Sequence, residues 1–290
     1  MVKLIDVINK STELLKSRDI QNSRFDAETL IAFSLKMKRL DLYLKFDMPL
    51  DEKDLELIRN CVLKRANRTP LQYITGSAGF MDFELHVEPG VLIPRPETEI
   101  LVEKSSVWLN NALTNKDMDF SDNPEILDLC TGACPIGISL AKSFESAQVS
   151  CTDISESALR ISRINISRHN ISNISLFKGN LDSEINPEKK FHLITANPPY
   201  IPSSEIEGLM PEVKRFEPVT ALDGGPGGYD FYTPLSCIAE KRLFKNGRIY
   251  METGWNQAQK VAEIFKKRGF ETGIIKDYSN IERHVFAEKK

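Results

Sequence analysis

Asn197, Pro198, Pro199 and Tyr200 follow directly on the apolar run that ends at Ala196, and their types and order could do chemistry. Each proline locks φ and removes a backbone donor, and the residue before each is pushed out of the helical region. The chain therefore leaves a buried strand as a stiff, extended loop with fixed acceptors. Asn197 supplies a side-chain carbonyl, Pro198 a backbone carbonyl, and Pro199 with Tyr200 a slot and a ring face for a flat group. Such a corner suits a planar NH2. With both hydrogens held by acceptors, the nitrogen lone pair can be aimed at an electrophilic carbon by positioning alone. Taken by itself, the tetrapeptide also fits a proline-rich turn with a structural asparagine.

Three more strand ends carry polar residues. Asp128-Leu129-Cys130-Thr131-Gly132-Ala133-Cys134 occupies a turn where a glycine-containing loop lets backbone approach a nucleotide-like ligand, and Asp153 ends the next strand, where a carboxylate can accept from ribose hydroxyls. Asn180 ends the third. It reads either as an acceptor for an adenine amine, with Leu181 packed on the ring, or as a plain strand-ending asparagine. The G-x-G-x-x-G that a pyrophosphate would call for is absent, and a cofactor without phosphate, such as S-adenosylmethionine, has less need of it.

The elements that must hold these residues alternate. Strands are expected over 125–130, 148–153, 174–180, 192–196 and 247–253, and helices over 136–144, 155–170, 229–244 and 256–268. The last helix would open on an Asn-x-x-Gln cap at Asn256 and close at Gly269, and 271–277 with 283–288 reads as a terminal strand pair. This spacing argues for a doubly wound, mostly parallel α/β sheet that binds ligands at the carboxyl ends of its strands, where strand order reverses.

Upstream the pattern differs. Residues 1–75 carry helical periodicity, with Leu4, Val7, Ile8 and Leu15 on one face, Ala27, Leu30, Ile31 and Leu35 on another, and a third helix over 51–65. Ser23 with Asp26 reads as a capping box. This helical domain either recognises a partner or covers the site, or else it stabilises or dimerises the chain. Segments 72–76 and 79–87 alternate like paired strands and make a β-hairpin linker over 76–95. Pro96 or Glu97 should open a helix running to about 110. Arg95 and Glu97 could face a substrate, or Glu97 could complement the helix dipole. Residues 115–124 are polar and read as a loop. The remaining domain is 96–290.

A length of 290 residues, with 41% hydrophobic and 27% charged, is ordinary globular composition. The net charge of −3 provides no basic field, so the expected partners are protein or small molecule rather than nucleic acid. Five scattered cysteines without Cys-x-x-Cys point to reduced thiols and no metal. No window approaches 18 apolar residues, so the chain is expected to be cytoplasmic and off the membrane; a monomer is the expected oligomeric state, without a sequence feature that carries it.

Taken together, these motifs resemble the protein-(glutamine-N5) methyltransferases that modify peptide chain release factors, the PrmC or HemK family. The likeness rests on the helical N-terminal domain, on 73–76 and 89–99, on Asn197-Pro198-Pro199-Tyr200, and on Arg215-Phe216-Glu217-Pro218 with 221–225. It implies a seven-stranded methyltransferase sheet over 96–290 and a helical substrate-recognition domain over 1–75. It also implies S-adenosylmethionine contacts at Cys130, Thr131, Gly132, Ala133, Cys134, Asp153 and Asn197, to which the strand-end reading adds Asp128, Asn180 and Leu181 as expected cofactor residues. The glutamine amide of a Gly-Gly-Gln motif would be held by Asn197 and Pro198, with Pro199 and Tyr200 shaping its slot and Glu97 and Arg95, from the local reading above, as further substrate-facing candidates. The family's turn is usually Asp-x-Gly-x-Gly-x-Gly, and Cys130 and Cys134 stand at its first and third glycines, with Pro135 following. Any left-handed φ there would strain the backbone by about 1–3 kcal/mol per residue. Asn180 replaces an acidic residue common at that strand end. Two other readings compete: a methyltransferase for adenine's exocyclic amine in DNA or RNA, and a binding module on this fold with impaired cofactor use.

Overall fold

In the computed structural model residues 2–115 and 123–290 are described, so the loop expected over 115–124 lies largely outside them. The chain forms two compact units, one of residues 1–77 with 210–216, the other of 78–209 with 217–290. In the first, β1 (Val2–Lys3) pairs antiparallel with β2 (Pro49–Leu50) beside α1 (Leu4–Lys16), α2 (Ser23–Ser34), α3 (Glu52–Ala66) and α4 (Leu71–Thr75). Leu4, Ile8 and Leu15 of α1 bury against Leu30 and Ile31 of α2 and Ile58 and Val62 of α3, as helical periodicity requires. Asp51 caps α3 by accepting from the Asp54 amide at 2.8 Å.

Two local expectations fail in this unit. Residues 72–75 are helix, not strand: α4 is a single turn closed by Gly76 at φ +70°, too short for its pattern to distinguish period 2 from 3.6. The Ser23/Asp26 capping box is absent. Asp26 is buried instead, accepting from Arg65 Nε at 2.7 Å. Arg65 Nη1 also reaches Glu212 Oε1 at 3.0 Å, and Arg68 reaches the same oxygen at 3.1 Å. These ion pairs tie 210–216 into the helical unit across about half the sequence.

From Ala78 on, the second unit holds the hairpin of β3 (Ser77–Phe80) and β4 (Phe83–His86), followed by α5 (Pro96–Asn115). Then come β5 (Glu125–Leu129), α6 (Pro135–Ser143), β6 (Gln148–Asp153), α7 (Glu156–Arg168), β7 (Ile174–Lys178) and β8 (Phe191–Ala196). Beyond α8 (Pro211–Phe216), which belongs to the first unit, lie α9 (Tyr232–Arg242), β9 (Leu243–Glu252), α10 (Ala258–Lys266), β10 (Glu271–Lys276) and β11 (Glu282–Glu288). The seven strands run β10-β11-β9-β8-β5-β6-β7, with β5 to β9 parallel and β11 antiparallel to both its neighbours.

Period 2 divides the sheet's faces cleanly. Leu127, Leu129, Ile194 and Ala196 pack with α9 and α10, while Ile126 and Leu193 pack with α5 and α6. The hairpin contributes Phe80 and Leu85 to that second core. Some boundaries shift: α5 runs five residues past 110, and β9 starts at Leu243, where a helix to 244 was expected. The Asn256 cap does not form, since α10 starts at Ala258 after Gln257, whose side chain bonds elsewhere. Strand order reverses between β5 and β8, and that crevice is where a ligand belongs.

Candidate active site

β8 is buried along its whole length and delivers Asn197 to the crevice. Asn197 Nδ2 donates to Thr98 Oγ1 at 3.1 Å, and Thr98, on the first turn of α5, donates to Glu252 Oε2 at 2.6 Å. The Tyr200 hydroxyl donates to the other oxygen of Glu252 at 3.1 Å. Burial raises the pKa of Glu252, opposed by these two hydroxyls, and burial together with the Glu252 charge raises that of the Tyr200 phenol. Gln257 Nε2 donates to the Tyr200 carbonyl at 2.8 Å, and Gly224 presses on the same segment. A Cβ on Gly224 would come within 2.7 Å of Tyr200 Cα and 2.8 Å of the Pro199 oxygen.

The turn after β5 is held from beneath. Asp128, with no exposed surface, accepts from Thr131 Oγ1 at 2.5 Å and from Thr195 Oγ1, on β8, at 2.8 Å. Burial pushes its carboxyl up to about 6 despite those bonds. Asp153 accepts from the Gly132 amide at 2.9 Å and the Ser155 amide at 2.9 Å, and burial raises its pKa too. Cys130, Gly132 and Cys134 stand at φ +58°, +58° and +67°. The two cysteines therefore adopt a left-handed backbone that glycine would take without strain. Desolvation and the Asp153 and Asp128 charges push the Cys130 thiol well up, which keeps it protonated.

These pieces enclose a cavity of about 820 Å³, built wholly from the second unit at the carboxyl ends of β5 to β8. Of the expected cofactor residues, Cys130, Thr131, Gly132, Ala133, Asp153, Asn180, Leu181 and Asn197 line it. Arg95 and Pro199 line it as well. The lining omits Asp128 and Cys134, which have no exposed surface. Pro198, Tyr200 and Glu97 also lie outside it. Tyr200 has turned its hydroxyl to Glu252, and Arg95 pairs with buried Glu217, which accepts from the Ile93 amide at 3.3 Å as well.

Two family models match: the PrmC N-terminal domain over residues 6–76 and the methyltransferase small domain over 101–210. The release factor glutamine methyltransferase of Clostridium acetobutylicum is 34% identical over 289 residues, covering 99% of this chain and 98% of that protein. The chain belongs to the release factor glutamine methyltransferase family. A second family member, from Geobacter sulfurreducens, is 35% identical over 280 residues, covering 96% of this chain and 94% of its own. The crystal structure of a methyltransferase from Pyrococcus furiosus aligns with TM-score 0.51 at 20% identity, covering 71% of this chain and 88% of its own, and so shares the fold. In family terms, the α/β methyltransferase sheet expected from the sequence is present with all seven strands.

Several residues of this site carry no motif of their own in the sequence. Glu252 is a charged residue at the end of a central strand, the same signal that marks Asp153, yet no motif singles it out. Thr98 sits in Pro96-Glu97-Thr98-Glu99, where the acidic residues draw attention instead. Phe231, Pro234 and Ile238 of the α9 region line the cavity without any local motif.

Proposed function

We propose that this protein transfers a methyl group from S-adenosylmethionine to the side-chain amide nitrogen of the glutamine in the Gly-Gly-Gln motif of peptide chain release factors. The observation that carries this reading is Asn197, on a proline-braced loop at the rim of a cavity that has the size and position of a small-molecule site.

The residues present suit the donor. A Cβ on Gly132 would meet little beyond Val91 Cγ2 at 3.7 Å, so the turn's backbone is open to close approach from the cavity side. Asp153 ends β6 within the lining, where a ribose would be gripped. Asp153, Asp182, Asp223 and Asp230 line the cavity against Arg95 and Lys241, an acidic balance that favours a cationic sulfonium.

S-adenosylmethionine, when bound, supplies an electrophilic methyl carbon. Asn197 Oδ1 and the Pro198 carbonyl accept the two amide hydrogens and aim the nitrogen lone pair, and Pro199 with Tyr200 walls the slot. An amide nitrogen is a weak nucleophile because resonance occupies its lone pair. Acceptors that grow stronger as the N–H bonds become acidic act chiefly on the transition state. The C–N bond would form as the methyl–sulfur bond of the donor breaks and its electron pair returns to sulfur, leaving S-adenosylhomocysteine, and one of the held amide protons would leave to water. No histidine appears in the cavity lining, so this route draws on none of them as a base among the described residues.

The reaction belongs to translation termination, and we place it in the cytoplasm with a monomeric enzyme; the free state of all five cysteines supports a reducing compartment. Incubation with release factor and S-adenosylmethionine should add one methyl mass to the Gly-Gly-Gln peptide by mass spectrometry. Methylation of an adenine-containing oligonucleotide in place of that peptide would overturn the substrate assignment.

A further inference from the structure

Asn197 can serve as an acceptor only if its oxygen, rather than its NH2, faces the substrate. An asparagine side chain is nearly symmetric in shape, so something must choose. Its partner Thr98 has one hydroxyl proton, and Glu252 lies 2.6 Å from that hydroxyl. An ionised carboxylate only accepts, so the Thr98 proton goes to Glu252 and leaves Thr98 Oγ1 as an acceptor toward Asn197. Asn197 then turns Nδ2 toward Thr98, at 3.1 Å, and Oδ1 the other way. The second Glu252 oxygen takes the Tyr200 hydroxyl, and the Tyr232 hydroxyl donates to the Glu252 backbone carbonyl at 3.0 Å, so the residue is held from three sides.

We propose that Glu252, acting through Thr98, is a positioning residue that fixes the Asn197 amide with its oxygen toward the methyl-accepting nitrogen, an inference that rests on the amide-methylation reading above. Glu252 is 2% exposed, and a buried carboxylate is costly unless its oxygens are engaged. The same bonds tie Tyr200, three residues past Asn197, to the carboxylate that orients it. A hydroxyl at 98 is needed, and an acid rather than an amide at 252. The amide introduced by Glu252→Gln would donate to Thr98, reverse the direction of its proton, and leave Asn197 presenting donors to a substrate that also presents donors.

The test compares Thr98→Val, Thr98→Ser and Glu252→Gln with wild type in peptide methylation, with S-adenosylmethionine binding by calorimetry and thermal melting alongside. Thr98→Val should lower kcat about 100-fold, the scale set by misplacing one reacting group. Its KM and cofactor affinity should stay within about threefold, a split that general loosening of the fold would not produce. Thr98→Ser keeps the hydroxyl and should recover most of kcat, and Glu252→Gln should resemble Thr98→Val. Wild-type kcat in Thr98→Val or in folded Glu252→Gln overturns the proposal.

A readout independent of activity separates the two claims. In 15N-labelled wild-type protein the Asn197 side-chain NH2 should exchange slowly with solvent, and in Thr98→Val as fast as a free asparagine. Fast exchange in wild type sinks the positioning role even if glutamine is methylated. Slow exchange with no glutamine methylation sinks the substrate reading and leaves the orientation standing.

Discussion

The two walls of the cavity reach rigidity by opposite routes. From Asn197 to Tyr200 no residue carries a positive φ: the prolines hold the extended backbone that they favour, and side-chain bonds from Asn197 and Tyr200 run to Thr98 and Glu252. From Cys130 to Cys134 three of the five residues are left-handed, and Gly132 alone among those three suits that state. That wall is held from outside, by Asp128 and Asp153 below and by Ser162 and Asn165 donating to the Gly132 and Ala133 carbonyls at 2.7 and 3.0 Å. The corner is stiff by its own sequence. The turn is stiff because neighbours impose a backbone its sequence resists, as strained functional segments require. Substrate geometry should therefore depend on single atoms at the corner, while the turn should trade stability against strain.

The sharpest break of this contrast is Asn197→Ala. It should cut kcat by about 10²–10³, the usual loss for one aimed polar group, while S-adenosylmethionine binding by calorimetry weakens by less than about tenfold. An active variant would mean that the prolines alone set the geometry. The next largest effect belongs to Asp128, which joins the two walls through Thr131 and Thr195. Its carboxyl is raised in the folded protein from 3.8 to about 6, so the folded state holds a proton that the unfolded chain releases. The stability it lends is present below about pH 4 and is lost as pH rises through about 6, on the order of 3 kcal/mol in all. Urea unfolding of wild type should weaken between pH 4.5 and pH 7 relative to Asp128→Asn. Parallel pH profiles would remove burial of that charge as a cost on the turn.

The two walls are also unequally legible from sequence. Asn197-Pro198-Pro199-Tyr200 is contiguous and follows an apolar strand, so its stiffness can be read locally, although the tetrapeptide by itself fits a structural turn as well as an acceptor site. The turn is legible too, down to the strain at Cys130 and Cys134, but only through the family resemblance, which puts glycines where these two cysteines stand. What cannot be read is pairing across the chain. Thr98 and Glu252 are 154 residues apart, and Arg65 and Glu212 are 147 apart, distances at which no periodicity operates. Asp26 misleads for the same reason: as a local cap it makes sense, but Arg65 claims it. The error at 72–76 is of a different kind, since a five-residue helix offers too few positions to set its period.

Gly224→Ala probes whether the corner tolerates pressure. The added Cβ would meet backbone at Tyr200, Pro199 and Gly228, all within 2.9 Å, and backbone cannot rotate aside. Overpacking of this kind costs about 1–3 kcal/mol. Thermal melting should fall accordingly, and kcat should fall with it, because the atoms displaced adjoin Asn197. A loss of stability with unchanged kcat would show that the corner is less tightly coupled to its surroundings than its bonds suggest.

Cys130→Gly works in the other direction and is the smallest effect expected. Glycine removes the left-handed penalty of about 1–3 kcal/mol and costs about 0.5–1 kcal/mol in unfolded-chain entropy, so a net gain near 1 kcal/mol should appear in urea unfolding. Cys134→Gly is the internal control. Its thiol is fully buried, 3.7 Å from that of Cys151, and a thiol leaving that packed space forfeits about 1 kcal/mol of contact, so relief and loss should nearly cancel. Stabilisation at 130 with neutrality at 134 is the signature of strain imposed by the fold. Destabilisation at both would mean that the thiols fill the turn so well that packing, not backbone, governs it.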